Sequence, residues 1–281
     1  MDALELGRHF PNASGISLLG AGGQKLVFAA THATHGPIVI KLIHQNQDLE
    51  RVKREVDAVE IINSARVPPV LEKGAITDAS GRVHVWLIEA RIQGQCLRQV
   101  LQKGPVPYSL IPTLGHDLLE AIRDAESRRI VHRDIKPDNV MVDQNGRFWL
   151  LDFGIARHLD KSSLTATVNA WGLGTPGYAP PEQYKNQKDL IHTCTDLFAL
   201  GTTIYEAVTG VNPYLQGAGS VAEVLRRIEF KDVVFDPSQF HGNTKLIGFL
   251  STTMNARRSH RPSSARDALG WWLDIFPEVA T

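Results

Sequence analysis

Cysteine is scarce in this chain: its 281 residues contain two, Cys96 and Cys194, far apart and in no C-x-x-C spacing. A disulfide framework and a cysteine zinc site are both excluded, and a reducing compartment is the simplest home. A net charge of one sign is also lacking. Thirty Lys plus Arg balance thirty Asp plus Glu, so no global field draws in nucleic acid or an anionic membrane; an anionic ligand must be met locally. No apolar run reaches the roughly 18 residues that a membrane span needs, and the opening MDALELGRHF lacks the basic, apolar, small-residue order of a secretory signal. The expectation is a cytoplasmic protein with neither a nucleic-acid nor a membrane partner. Internal repeats and low-complexity tracts are missing too, which removes solenoid architectures.

What is present divides into two textures. From about Leu18 to Leu42 the chain is strand-like, with LVFAATHA and PIVIKLI separated by the turn-prone THGP. Residues 48–63, DLERVKREVDAVEIIN, place Leu49, Val52, Val56, Val59 and Ile62 on one helical face, with Asp48 as N-cap. RVPPV breaks that helix, and GRVHVWLIEA alternates as a strand. After RIQGQ the spacing turns helical, in SLIPTLGHDLLEAIRDAESR, TDLFALGTTIYEAVTG, VAEVLRRIEF and ARDALGWWLDIF. A sheet-rich first lobe with one helix is followed by a helical second lobe, with the boundary placed between residues 90 and 91.

The first stretch with chemical character is LLGAGGQKLVF at 18–28, where Lys25 stands in place of the last glycine of G-x-G-x-x-G. A strand follows it, which weakens the dinucleotide and Walker readings, since both need a helix N-terminus to hold phosphate. The eleven histidines form no H-E-x-x-H and join no cysteine cluster, so a histidine metal site is not expected. The informative stretch is VHRDIKPDNVMVDQNGRFWLLDFG, with H-R-D-x-K-x-x-N from His132 to Asn139 and D-F-G from Asp152. VIK at 39–41 lies upstream and GTPGYAPPE at 174–182 downstream.

Together these motifs, from about Leu18 to Pro262, resemble the eukaryotic-like (Hanks-type) serine/threonine protein kinases, and GTPGYAPPEQY is most similar to the bacterial members. The resemblance implies an α+β, bilobal protein-kinase fold, with residues 1–90 as the N-lobe and 91–281 as the C-lobe. It also implies a Mg·ATP-dependent kinase, with Mn2+ as an alternative ion, that phosphorylates Ser/Thr hydroxyls of protein substrates. Phosphoryl transfer needs little covalent help, so catalysis rests on in-line positioning and on neutralising spread-out charge.

By the same resemblance Asp134 takes or orients the acceptor proton and Lys136 meets the γ-phosphate. Asn139 and Asp152 are the oxygen ligands for the metal. Lys41 contacts the α- and β-phosphates and is fixed by a helix glutamate, for which Glu55 is chosen over Glu60 and Glu50. Gly20, Gly22, Gly23 and Val27 belong to the phosphate loop, where the glycines supply backbone freedom. Ile88 guards the deep pocket, and Glu89 and Arg91 offer backbone groups to adenine. Asp196 resembles the aspartate that braces the catalytic loop, Glu182 and Arg261 a buried ion pair, and Thr175 a substrate-site threonine packed on the loop.

Arg133 resembles the arginine that holds a phosphorylated activation loop. Thr165 and Thr167, then Ser162 and Ser163, are the candidate sites for autophosphorylation. GWWLDIF reads as a helix sealing the second lobe. Two departures stand out: Val39 replaces the alanine that roofs adenine, and Pro180 makes A-P-E into P-P-E. A nucleotide-binding pseudokinase scaffold and a small-molecule phosphotransferase are the alternatives. A separate regulatory protein is a further expected partner.

Overall fold

Strand-forming text in the first ninety residues becomes one antiparallel sheet. The computed structural model describes residues 2–22, 25–43, 56–57, 59–153 and 174–280. Asp2 caps a short helix, α1 (Ala3–His9), by accepting from the Glu5 N–H at 2.8 Å. Then come β1 (Ala13–Ala21), β2 (Lys25–His32), β3 (Gly36–Ile43), β4 (Val70–Thr77) and β5 (Val83–Ala90), in the spatial order β1-β2-β3-β5-β4. Alternation sorts the side chains. Phe28, Ala30, Ile38, Ile40, Leu42 and Ile88 lie on one face and form a core with Leu6 and Phe10 beneath α1. Each fully buried Leu, Ile or Phe of that set contributes about 1.5–3 kcal/mol. Val39, Lys41, Leu87 and Glu89 occupy the alternate positions on the opposite face, in the register Val39↔Glu89 and Lys41↔Leu87.

Of the helix expected over 48–63, residues 56, 57, 59 and 60 are helical, and Val56, Val59 and Ile62 are buried. Glu50 and Glu55 lie outside the described residues.

The later residues build on helices. A three-stranded sheet, β6 (Gly94–Cys96), β7 (Val140–Asp143) and β8 (Phe148–Leu150), carries the loops of interest. Around it run α2 (Leu97–Leu101), α3 (Ile111–Ser127), α4 (Pro181–Tyr184), α5 (Thr193–Thr209), α6 (Val221–Phe230), α7 (Thr244–Thr253) and α8 (Ala265–Ile275). Helix α5 is apolar on nearly every side and is buried accordingly. It ends at Gly210, whose φ of 79° is the left-handed C-cap that glycine adopts without strain. Ser220, Asn243 and Ser264 cap α6, α7 and α8.

GWWLDIF does seal this unit. Trp272 is fully buried and donates its indole N–H to the Pro112 carbonyl at 2.9 Å, while Trp271 is half-buried against Phe249. A Cβ on Gly115 would stand 2.1 Å from the Trp272 ring, so that close approach requires glycine.

The chain divides into two compact units. One holds the described residues up to 63 together with 68–92; the other holds 64–67 and the described residues from 93 onward. The short segment 64–67 sits with the helical unit, where the expected boundary at 90/91 does not place it. Its Arg66 pairs with the buried Asp117 of α3 at 2.9 Å, and the Leu150 N–H donates to the Arg66 carbonyl at 2.8 Å. Those bonds outweigh sequence proximity.

Candidate active site

The H-R-D loop has irregular backbone, and irregular backbone needs side-chain partners in place of a ladder. Asp196, near the start of α5 and buried, supplies them: its carboxylate accepts from the His132 N–H at 2.7 Å and the Arg133 N–H at 2.8 Å. Burial pushes the Asp196 carboxyl up, to about 7, against the pull of these two donors. The clamp also holds Arg133 at a φ of 66°, a left-handed conformation that costs a non-glycine residue free energy. The fully buried His132 ring accepts from the Asp134 N–H through Nδ1 at 3.2 Å and donates from Nε2 to the Leu151 carbonyl at 2.8 Å. Phe153 packs edge-on to it, with centroids 4.6 Å apart.

These constraints aim Asp134, whose carboxylate gathers three side-chain donors. The Thr175 hydroxyl donates to Oδ1 at 2.7 Å, Lys136 Nζ lies 3.1 Å from Oδ2, and Asn139 Nδ2 lies 3.2 Å from Oδ2. Lys136 also donates to Thr175 Oγ1 at 2.9 Å, closing an Asp134–Thr175–Lys136 ring. A hydroxyl substrate arriving here meets a carboxylate fixed in place beside an ammonium, as acid–base work on an acceptor requires.

Asn139 faces the D-F-G segment. Its carbonyl accepts from the Leu151 N–H at 2.8 Å, and its amide NH2 is committed to the Asp134 carbonyl at 2.8 Å. That leaves Oδ1 of Asn139, with the Asp152 carboxylate, as hard oxygen atoms that could hold a divalent cation. Asp152 sits at a φ of 61°. A left-handed non-glycine residue at this point is strain of the kind found at functional sites.

In the sheet unit, Lys41 is 7% exposed and its Nζ lies 2.5 Å from Oε2 of Glu89. This corrects the hinge expectation by one residue. Ile88 points into the core on the far face of the sheet, and the side chain sharing Lys41's face at the end of β5 is Glu89. The Arg91 N–H, expected for adenine, donates instead to the Pro37 carbonyl at 3.1 Å. Val27 is paired with Lys41 in the β2–β3 register. The glycines need correcting as well. Neither Gly20 nor Gly22 takes a left-handed φ, because β1 runs through Gly20 to Ala21, so φ freedom is not what they provide. A Cβ on Gly20 would meet nothing within 4 Å, so no neighbouring residue requires glycine there.

Gly23 and Glu55 lie outside the described residues, as do Ser162, Ser163, Thr165 and Thr167. Glu60, the second choice for Lys41, is turned to Lys73 at 2.6 Å, where Asp57 also binds.

The protein kinase domain description matches residues 14–271. The chain belongs to the protein kinase family. It is 32% identical over 232 residues to the serine/threonine-protein kinase AfsK of Streptomyces griseus, covering 79% of this chain and 27% of that one. It is 33% identical over 219 residues to the "probable serine/threonine-protein kinase PkwA" of Thermomonospora curvata, covering 76% and 28%. The chain thus spans under a third of the length of these two relatives, and its matches are to the Hanks-type kinases with bacterial members foremost.

Within this kinase domain Glu182 and Arg261 form a bidentate pair at 2.6 and 3.2 Å, both almost fully buried. Arg261 donates further to the carbonyls of Cys194, Asn255 and Ala256. One group escaped the sequence reading. Arg98 of α2 bonds Glu206 of α5 and the Tyr178 hydroxyl, each at 2.6 Å, and Tyr178 donates to Glu206. Burial, then the neighbouring Glu206 charge, pushes the Tyr178 hydroxyl up. A signal existed: a glutamate in so apolar a helix needs a partner.

Among the described residues, two histidine and carboxylate groups bring three ligand atoms within 4.8 Å of one another, His32 with His35 and Glu72, and His116 with Asp117 and Glu120. Neither is built for metal. His32 Nδ1 accepts from the Thr34 and His35 N–H groups, which puts the proton on Nε2, toward Glu72. Asp117 is already spent on Arg66, Arg147 and the Phe148 N–H.

Proposed function

We propose that the protein transfers the γ-phosphate of ATP, in complex with Mg2+, to Ser/Thr hydroxyls of protein substrates. The observation that carries this reading is the ring of Asp134, Thr175 and Lys136, which joins the catalytic loop to the GTPGY segment. In it Asp134 receives or orients the acceptor's proton, held at the right angle by the Thr175 hydroxyl. Lys136 is placed to neutralise charge on the group in transfer. Asn139 Oδ1 and Asp152 are the residues that would hold the divalent ion, which would neutralise charge on the phosphates. By resemblance, Lys41 orients the α- and β-phosphates.

By resemblance, the pairing of Thr175 with Lys136 favours Ser/Thr over tyrosine acceptors. Autophosphorylation at Thr165 or Thr167, with Arg133 receiving the phosphate, and control by a separate protein belong to the same proposal. The test is transfer of radiolabelled γ-phosphate to protein and to small-molecule acceptors, with Mg2+ or Mn2+, followed by phosphoamino-acid separation. Label on Ser or Thr of protein is the expected result, and label confined to a small molecule contradicts it. Intact-mass spectrometry after incubation with Mg·ATP reads the loop sites.

A further inference from the structure

Lys41 has a carboxylate partner built into its own sheet. Val39 and Glu89 are direct register partners in β3 and β5, and Lys41 lies two residues along β3 on the same face. From there Glu89 Oε2 reaches Lys41 Nζ at 2.5 Å, with both side chains under one-tenth exposed. A helix glutamate approaches such a lysine only when its helix is in place, whereas Glu89 is in reach whenever β3 and β5 are paired. Charges this buried stabilise each other in a medium of low dielectric, so drawing Lys41 away from Glu89 costs free energy. A nucleotide whose phosphates take Lys41 must therefore outcompete Glu89.

We propose that Glu89 is a positioning residue that holds Lys41 within the sheet and competes with nucleotide phosphates for it, setting the affinity for nucleotide below what Lys41 alone would give. This rests on the reading of Lys41 as a phosphate contact. The competition has a definite sign. Neutralising Glu89 removes this pairing from the free protein, so binding no longer has to break it and the equilibrium shifts toward the complex. The effect belongs to phosphate-bearing ligands alone, because adenosine makes no claim on Lys41.

Isothermal titration of Mg·ADP, Mg·ATP and adenosine into the wild type, Glu89→Gln, Glu89→Met and Lys41→Met separates the cases. In both Glu89 variants Kd for Mg·ADP and Mg·ATP is expected to fall about three- to tenfold, as when a competing state is removed, with Kd for adenosine unchanged. The Met variant, of similar length and without charge, serves if the Gln variant does not fold. An unchanged or higher Kd for Mg·ADP in the Glu89 variants overturns the inference, as does an equal gain for adenosine, which would place Glu89 against the base. If Lys41→Met binds Mg·ADP as tightly as the wild type, the phosphate-contact reading itself falls. If Lys41→Met weakens binding and the Glu89 variants do not alter it, only the inference falls.

Discussion

Asp134 and Lys41, two of the charged residues on which the proposed reaction depends, are held by opposite means. Around Asp134 the backbone is irregular, and the protein compensates with converging side chains: Thr175, Lys136 and Asn139 on the carboxylate, and Asp196 under the preceding N–H groups. Lys41 sits in a regular strand, where the ladder fixes its Cα and the buried carboxylate of Glu89 meets its ammonium. A loop has to be braced from outside, and that bracing leaves its charges little choice of partner. A strand is positioned by its register, so its charged side chain is able to exchange one counter-charge for another.

If the helical unit is braced through its buried ion pair, Arg261→Ala should cost about 3–5 kcal/mol by stranding Glu182. A thermal melt reads this, and a melting temperature equal to the wild type would break the comparison at its root. The Asp196 clamp predicts a pH dependence. Its carboxyl keeps its proton up to about pH 7 when folded and releases it near pH 4 when unfolded. Between those values the unfolded chain binds fewer protons, so this group's contribution to stability declines as pH rises. Asp196→Asn should lose that downward component when melting temperature is followed from pH 4 to 7, and parallel profiles would contradict it.

Thr175→Ala removes a hydroxyl that bonds two charged groups. The expected loss is about 1.5–3 kcal/mol, or roughly ten- to a hundredfold in kcat, with little change in melting temperature; an unaltered kcat would sink the ring. Glu60→Ala probes the sheet side. Glu60 is 46% exposed and binds Lys73, so its removal should cost about 0–1 kcal/mol and leave kcat unchanged. A large loss of activity would mean that Glu60 serves Lys41 after all.

The same contrast explains what could be read in advance. The catalytic loop, D-F-G and GTPGYAPPE announce themselves because their chemistry depends on residue types at fixed short spacing. The pair Glu182–Arg261 was legible for that reason too, since each partner lies in a recognisable local motif. The end of β5 was misread because strand faces alternate: a slip of one residue exchanges Ile88 for Glu89 and the core face for the face that carries Lys41. Hydrophobicity did not correct the slip, since LIEA places an acid where a buried strand shows no alternation. The Arg98–Tyr178–Glu206 group stayed hidden because its members come from three distant segments. Only the buried glutamate hinted at it.

The measurement that bears most directly on the proposed activity is transfer of labelled γ-phosphate to a protein acceptor by Asp134→Asn beside the wild type. The account predicts a fall of about 10²- to 10⁴-fold in kcat, with nucleotide affinity and melting temperature unchanged, because Asp134 acts on the acceptor and not on the fold. Equal incorporation by the two proteins would contradict it.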